Sequence, residues 1–286
     1  MTDASPYRLD KRRVRATFDQ AASSYDEAAV LQREVCSRLL ERLQWVKLDP
    51  ARVLDAGAGT GQGAQGLKRL YKGSRVVALD LSPAMLRLTA KGAGWWRKPG
   101  LVCADVESLP FADASFDLIF SSLTVQWCND LDRALAEFRR VLSPQGLLMF
   151  TTLGPDTLVE LRRAWEVVDG RAHVNAFMDM HDIGDALVRA GFADPVMDVE
   201  RMTVTYPDVR GLMRDLKAIG ATNALSGRGR GLTGPGRLRA LEAAYEEYRQ
   251  EGLLPASYEV VYGHAWVPDA PAPSGLPKGA IPIRAG

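Results

Sequence analysis

Residues 53–61 read Val-Leu-Asp-Ala-Gly-Ala-Gly-Thr-Gly, a short apolar run that meets three alternating glycines and passes into a stretch of helical character. Few architectures accommodate a strand, a glycine loop and a helix in that order. Glycine is needed where backbone must approach a ligand with no side chain between, and the start of the helix offers free N–H groups. The loop therefore marks a nucleotide-type cofactor site at the carboxyl end of a strand in an open α/β sheet.

The remainder of the chain keeps that rhythm. Strands are expected at 52–55, 75–80, 101–104, 116–121 and 147–152, alternating with helices at 63–71, 83–90 and 131–141, which is the βαβ pattern of a parallel sheet. Pro144-Gln145-Gly146 is a turn signal, with proline stopping the helix and glycine accepting a positive φ. Residues 155–190 look helical, and 199–206 and 258–266 read as two strands able to form an antiparallel edge. The expected fold class is α/β: a Rossmann-like, doubly wound, mostly parallel seven-stranded sheet with an antiparallel edge strand, N-terminal helices and a helical lid insertion.

Apolar positions at helical spacing over 10–46 (Phe18, Tyr25, Val30, Leu31, Val35, Leu39, Leu40 and Leu43) predict two helices ahead of the sheet. The organisation read from sequence is an N-terminal helical cap (1–45), a cofactor-binding core (46–206), a helical lid (207–257), a last core strand (258–266) and a proline-rich tail (267–286) expected to be disordered. Within the lid, residues 226–236 are too rich in glycine for regular structure and read as a mobile loop.

Composition narrows the function. Lysine and arginine total 36 against 35 acidic residues among 286, so no bulk field draws the chain to nucleic acid or to an anionic membrane. Cys36, Cys103 and Cys128 have no paired spacing, and His173, His181 and His264 lie in separate segments. Neither a disulfide framework nor a metal site is expected, and the reducing cytoplasm is the expected location. No signal peptide and no membrane span are read.

Taken alone the glycine loop is ambiguous, because Gly59-x-Gly61-x-x-Ala64 also satisfies the dinucleotide fingerprint. Asp55 separates the readings: beside a pyrophosphate it would meet like charge, whereas S-adenosyl-L-methionine has no phosphate and carries a sulfonium and an α-ammonium. Asp80, at the end of the next strand, is placed to accept both ribose hydroxyls. Asp105 can accept from the adenine amino group while Val106 packs on the ring. Any one of these acids could instead cap a helix. The cofactor set is taken as Asp55, Gly57, Gly59, Gly61, Asp80, Leu81, Met85, Asp105, Val106 and Ser122, with Gln126 and Trp127 able to face the transferred methyl group.

The arrangement over 46–155 resembles the class I S-adenosylmethionine methyltransferases. Phe18-Asp-Gln-Ala-Ala-Ser-Ser-Tyr-Asp26, Leu31-Gln-Arg33, Leu79-Asp-Leu-Ser-Pro83, Asp105-Val-Glu-Ser-Leu-Pro110, Val125-Gln-Trp-Cys128 and Phe150-Thr-Thr-Leu153 are similar to the malonyl-acyl-carrier-protein O-methyltransferases of biotin synthesis. So, outside the core, are His173-Val-Asn175, Leu216-Lys-Ala-Ile-Gly-Ala-Thr222, Gly227-Arg228 and Leu232-Thr233. The loop reads Ala-Gly-Ala-Gly where such relatives often have Ala-Gly-Cys-Gly.

The resemblance implies methylation of the free carboxylate of a malonyl thioester on acyl carrier protein, with no nucleic acid or membrane partner. Arg228 and Arg230 are the residues expected to grip a carboxylate or phosphate, with Lys217 as a second positive point. Tyr25, Gln126, His173 and Asn175 are the other candidates for positioning substrate. Solvated charge, core packing and structural histidine are the competing readings of these residues. Lys11, Arg12, Arg13 and Arg15 form a candidate docking face for an acidic carrier. A methyltransferase of another small acid or quinone-type metabolite, a nicotinamide-dependent oxidoreductase and a non-catalytic binding protein are the alternatives.

Overall fold

The computed structural model describes residues 8–93, 98–171, 173–221 and 234–269. Seven strands form one sheet: β1 (Arg52–Ala56), β2 (Arg75–Asp80), β3 (Gly100–Cys103), β4 (Phe116–Ser121), β5 (Leu142–Leu153), β6 (Ala193–Tyr206) and β7 (Leu254–Trp266), in the order β3-β2-β1-β4-β5-β7-β6. β1 to β5 pair in parallel; β7 runs antiparallel to β5 on one side and to β6 on the other. The antiparallel edge is thus a pair, in which the reversed strand is second from the rim and β6 lies outermost.

The strand period of two sorts the core into layers. Val53, Leu118 and Phe120 face a cluster completed by α3 (Val30–Leu43), α4 (Gln62–Leu70), α7 (Val159–Asp169), α9 (Val209–Ala218) and α10 (Pro235–Glu246). Leu54 and Ile119 point the other way, against α6 (Leu131–Val141) and α8 (Met180–Arg189). A third, small cluster joins Leu9 and Val14 to Phe18, Leu81 and Trp127, and seats α1 (Lys11–Ala21) over the ends of β2 and β4.

Local chemistry sets the helix starts. Asp10 accepts from the amides of Arg12 and Arg13 to begin α1, and Ser82 accepts from the Met85 amide, with Pro83 following, to begin α5 (Pro83–Gly92). Three helices precede the sheet instead of two, because a single turn, α2 (Tyr25–Ala28), breaks the apolar series. The expected helix over 155–190 is two, α7 and α8, since Gly170 ends α7 at φ 62°.

Three strands start several residues earlier than their sequence signals, among them β7, which begins at Leu254 and so takes 254–257 from the expected lid. β5 begins at Leu142, and the positive φ of the predicted turn falls on Gln145 (61°) and not on Gly146. Gly146 is needed for room: a Cβ there would lie 2.8 Å from the Ser143 carbonyl oxygen. β6 begins at Ala193, where a register shift accommodates Asp194 and Pro195. Among the described residues no helix is long and apolar enough to cross a membrane. The mobile loop expected at 226–236 and the tail fall largely outside the described residues.

Candidate active site

The loop after β1 is pinned to β2, with the amides of Gly57 and Ala58 both donating to the Leu79 carbonyl at 2.7 and 2.9 Å. Its three glycines serve different ends. A Cβ on Gly57 would collide with Thr124, 1.9 Å from its Oγ1, and one on Gly61 would stand 2.8 Å from Cγ2 of Thr89, so both are glycines of close packing. A Cβ on Gly59 meets nothing within 4 Å, and Gly59 lines the main cavity. Gly57 lines that cavity as well, so these two bare backbone toward a ligand and Gly61 does not.

The acids divide similarly. Asp80 Oδ2 accepts from the Gly59 amide at 2.9 Å and Oδ1 from the Ser82 amide at 2.8 Å, which holds the carboxylate at the cavity wall. Burial raises its pKa above the usual carboxylate range, against the lowering effect of those two donors. It does not cap α5; Ser82 does. Asp105 also lines the cavity, its Oδ1 accepting from the Glu107 amide at 3.1 Å.

Asp55 lies beneath the loop, 2% exposed, beside a smaller cavity shared with Tyr25, Gly57, Gly59 and Ser122. Its Oδ2 has no hydrogen-bond partner among the described residues. Burial pushes its pKa up to about 7, opposed by the Ala64 amide and reinforced by the charge of Asp80.

The main cavity encloses about 1370 Å³, part of it open to solvent. Leu81, Met85, Val106 and Ser122 line it, as do Tyr25, Gln126, His173 and Asn175. Gln126 accepts from Thr152 Oγ1 at 3.4 Å. The His173 ring stacks on Trp165 with centroids 3.8 Å apart and meets Asp169 through Nε2 at 2.9 Å. Asn175 Oδ1 is buried and has no hydrogen-bond partner among the described residues. Tyr25 is half-buried with its phenol pKa raised, first by burial and then by the charges of Asp80 and Asp26.

Other expectations are not met or not covered. Lys217 is exposed on α9 and does not line the cavity, because its neighbours Leu216 and Ile219 occupy the inward face. Gly61 lies behind the loop. Arg228 and Arg230 lie outside the described residues. Lys11 is not a docking charge: its Nζ sits 3.0 Å from Asp105 Oδ1 and 2.9 Å from Glu107 Oε2 at the cavity rim.

Several lining residues were missed. Lys11, Val14 and Phe18 line the cavity together, and their i, i+3, i+7 spacing was the signal, obscured by reading the basic run as surface. Phe18 meets Trp127 edge-on at 5.2 Å. Thr157, Phe177 and Tyr258 also line the cavity. Nothing local in the sequence marks them, since the topology of β5, β7 and α7 gathers them.

A family description, methyltransferase domain, matches residues 54–150. The malonyl-[acyl-carrier protein] O-methyltransferase of Laribacter hongkongensis is 58% identical over 278 residues, 94% of this chain and 93% of its own length. The chain belongs to the malonyl-acyl-carrier-protein O-methyltransferase family. A second member, from Gallionella capsiferriformans, is 55% identical over 91% of this chain and 92% of its own. In fold the chain is similar to phosphoethanolamine N-methyltransferase 2 of Haemonchus contortus in complex with S-adenosyl-L-methionine, at TM-score 0.55 and 21% identity over 88% of this chain and 57% of that one.

Members of this methyltransferase family take S-adenosylmethionine as methyl donor, and the cavity fits that group. Gly59 leaves open space beside the Asp80 carboxylate, and Val106, Leu81 and Met85 supply an apolar slot of the kind a nucleoside ring fills. The orphaned carboxylate oxygen of Asp55 matches a cationic ligand end. Among the described residues the only lysine or arginine lining the cavity is Lys11, already paired with two carboxylates, which leaves no cation for a pyrophosphate.

Proposed function

We propose that this chain methylates the free carboxylate of malonyl-acyl carrier protein, giving the methyl ester that enters biotin synthesis. The observation that carries the reading is the 58% identity to a malonyl-[acyl-carrier protein] O-methyltransferase across 94% of the chain. The cavity supports it by continuing past the cofactor loop into a mostly apolar chamber that carries a few polar side chains. When bound, S-adenosylmethionine supplies an electrophilic methyl group on a sulfonium sulfur. The malonyl carboxylate, with a reference pKa of about 4, is already the nucleophilic anion at neutral pH, so no residue has to remove a proton.

The chain's task is placement and dryness. Asp80, Val106, Leu81 and Met85 hold the nucleoside end, and Asp55 faces the methionyl end through the smaller cavity. Gln126, Tyr25, His173 and Asn175 line the chamber beyond, where their amide, phenol and imidazole groups orient the malonyl thioester. Leu153, Leu158, Leu161 and Phe177 exclude water around them. In the insertion after β6, α9 contributes Leu216, with Ile219 and Ala221 just past its end, to the wall and covers this side of the chamber. The unpaired Cys36, Cys103 and Cys128 suit a reducing cytoplasm.

The test is mass spectrometry of malonyl-acyl carrier protein incubated with S-adenosylmethionine and the protein, with Asp80→Ala as control. A gain of one methylene, lost in the variant, is expected. Cofactor binding without that gain would retain the methyltransferase and reject this substrate in favour of another small acid.

A further inference from the structure

Acyl carrier proteins are acidic and present their thioester on a long, flexible pantetheine arm, so the enzyme needs a cationic surface beside an opening to the chamber. With Lys11 turned inward, α1 does not supply that surface in the form its sequence suggested. α9 does. Its buried residues Val209 and Leu212, the partly buried Leu216 and the buried Ile219 just past its end pack inward, and the opposite face carries Arg210, Met213, Arg214 and Lys217, all exposed and within one arc of helical spacing. Arg210 pairs with Glu242, while among the described residues Arg214 and Lys217 have no ion-pair partner. Asp215 does not dilute the stripe, because it turns toward β6 and takes a hydrogen bond from Tyr206.

Beside this face a narrow groove runs between α9, β6 and the start of α3. Its walls include Val30, Val204 and Tyr206, and it shares Leu31, Gln32 and Tyr258 with the main cavity. Val30 at its rim is 55% exposed, an apolar side chain that the fold leaves uncovered. The groove therefore shares a wall with the chamber on one side and adjoins a basic helix face on the other.

Resting on the function proposed above, we infer that the carrier protein docks on the Arg210–Met213–Arg214–Lys217 face of α9 and that its pantetheine arm enters through this groove. Opposite charge sets the encounter, and the exposed Met213 and Val30 give the apolar contact at its centre. The groove suits an arm without negative charge: Val30, Leu31, Val204, Leu216 and Ile219 give it an apolar wall, and the Gln32 amide, the Tyr206 hydroxyl and the Asp215 carboxylate are partners for the arm's amides.

The experiment compares the wild type with an Arg214→Glu/Lys217→Glu variant and an Arg12→Glu/Arg15→Glu control, following methyl transfer to malonyl-acyl carrier protein at several salt concentrations. S-adenosylmethionine affinity is measured by calorimetry to show that each variant is folded. The α9 variant is expected to raise KM for the carrier roughly tenfold with a flatter salt dependence, leaving kcat and cofactor affinity unchanged. Val30→Trp, which narrows the groove, is expected to slow transfer from the carrier at unchanged cofactor affinity. An unchanged KM in the α9 variant, or a rise confined to the α1 control, overturns the inference while the functional reading stands. Absence of methylation by the wild type overturns both.

Discussion

Lys11 Nζ lies 3.0 Å from Asp105 Oδ1, so the first turn of α1 is fastened to the loop after β3, 94 residues along the chain. Glu107 holds the same ammonium, and α1 is seated further by Asp19, which accepts from Ser82 Oγ at 2.6 Å and the Ala84 amide at 3.1 Å. Both side chains of the Lys11–Asp105 pair are about a quarter exposed, so solvent screens the interaction to about 1 kcal/mol. Lys11→Met is therefore expected to weaken S-adenosylmethionine roughly fivefold, with thermal stability little changed. Calorimetric titration checks this, and an unchanged affinity would show that α1 does not cover the cofactor.

Gly59→Ala and Gly63→Ala should separate binding from packing. At Gly59 the added methyl meets no atom, and the φ of 54° costs about 1–2 kcal/mol, but the methyl projects into space the cofactor needs. Cofactor binding should vanish while the protein stays folded. At Gly63 the Cβ would stand 2.8 Å from Asp55 Oδ2 in the interior, and a loss of about 1–3 kcal/mol in unfolding free energy is expected. Urea unfolding and titration of both variants provide the comparison.

Asp55 makes stability depend on pH. Its pKa stands at about 7 when folded against 3.8 as the reference value, so between those limits the native state holds a proton that the unfolded state has released. Stability contributed by this group is thus lost as pH rises from about 4 to 7 and is level above; the full effect is about 4 kcal/mol as an upper bound. Asp55→Asn is expected to be the more stable protein at pH 8 and to lose that advantage at pH 4, read by unfolding at both. Its cofactor affinity should fall, because the cationic end loses its counter-charge.

Asn175 carries a buried acceptor with no partner among the described residues, a cost of about 1–3 kcal/mol in the ligand-free protein. Asn175→Leu is expected to preserve or raise the melting temperature and to raise KM for the malonyl substrate several-fold at unchanged cofactor affinity. A drop in melting temperature with normal kinetics would assign the residue to structure alone.

Strands β1, β2 and β4 were legible because each is a compact apolar run closed by a turn residue, and β2 and β4 begin and end where the sequence placed them. The start of β6 was not, because Asp194 and Pro195 carry no strand propensity and fall in the register shift between the Ala193–Trp266 and Val196–His264 pairs. In the site, Asp80 and Gly59 announced themselves by position after strands. The inward turn of Lys11 did not, since a basic run next to a charged surface reads the same whether its first member points in or out; only the partners Asp105 and Glu107, remote in sequence, decide it. Tyr258 and Thr157 depend wholly on how β7 inserts.

That insertion governs assembly in time. During synthesis β5 is made more than a hundred residues before the strand that will flank it, and β6 is held to the sheet through β7 alone. Until Leu254–Trp266 arrives, the edge of β5 offers unpaired amides and carbonyls, and β6 has no place in the sheet. A chain cut short before Leu254 would thus carry the whole cofactor loop yet expose a sticky edge, and a folding rate limited by this long-range closure follows from the order of the strands.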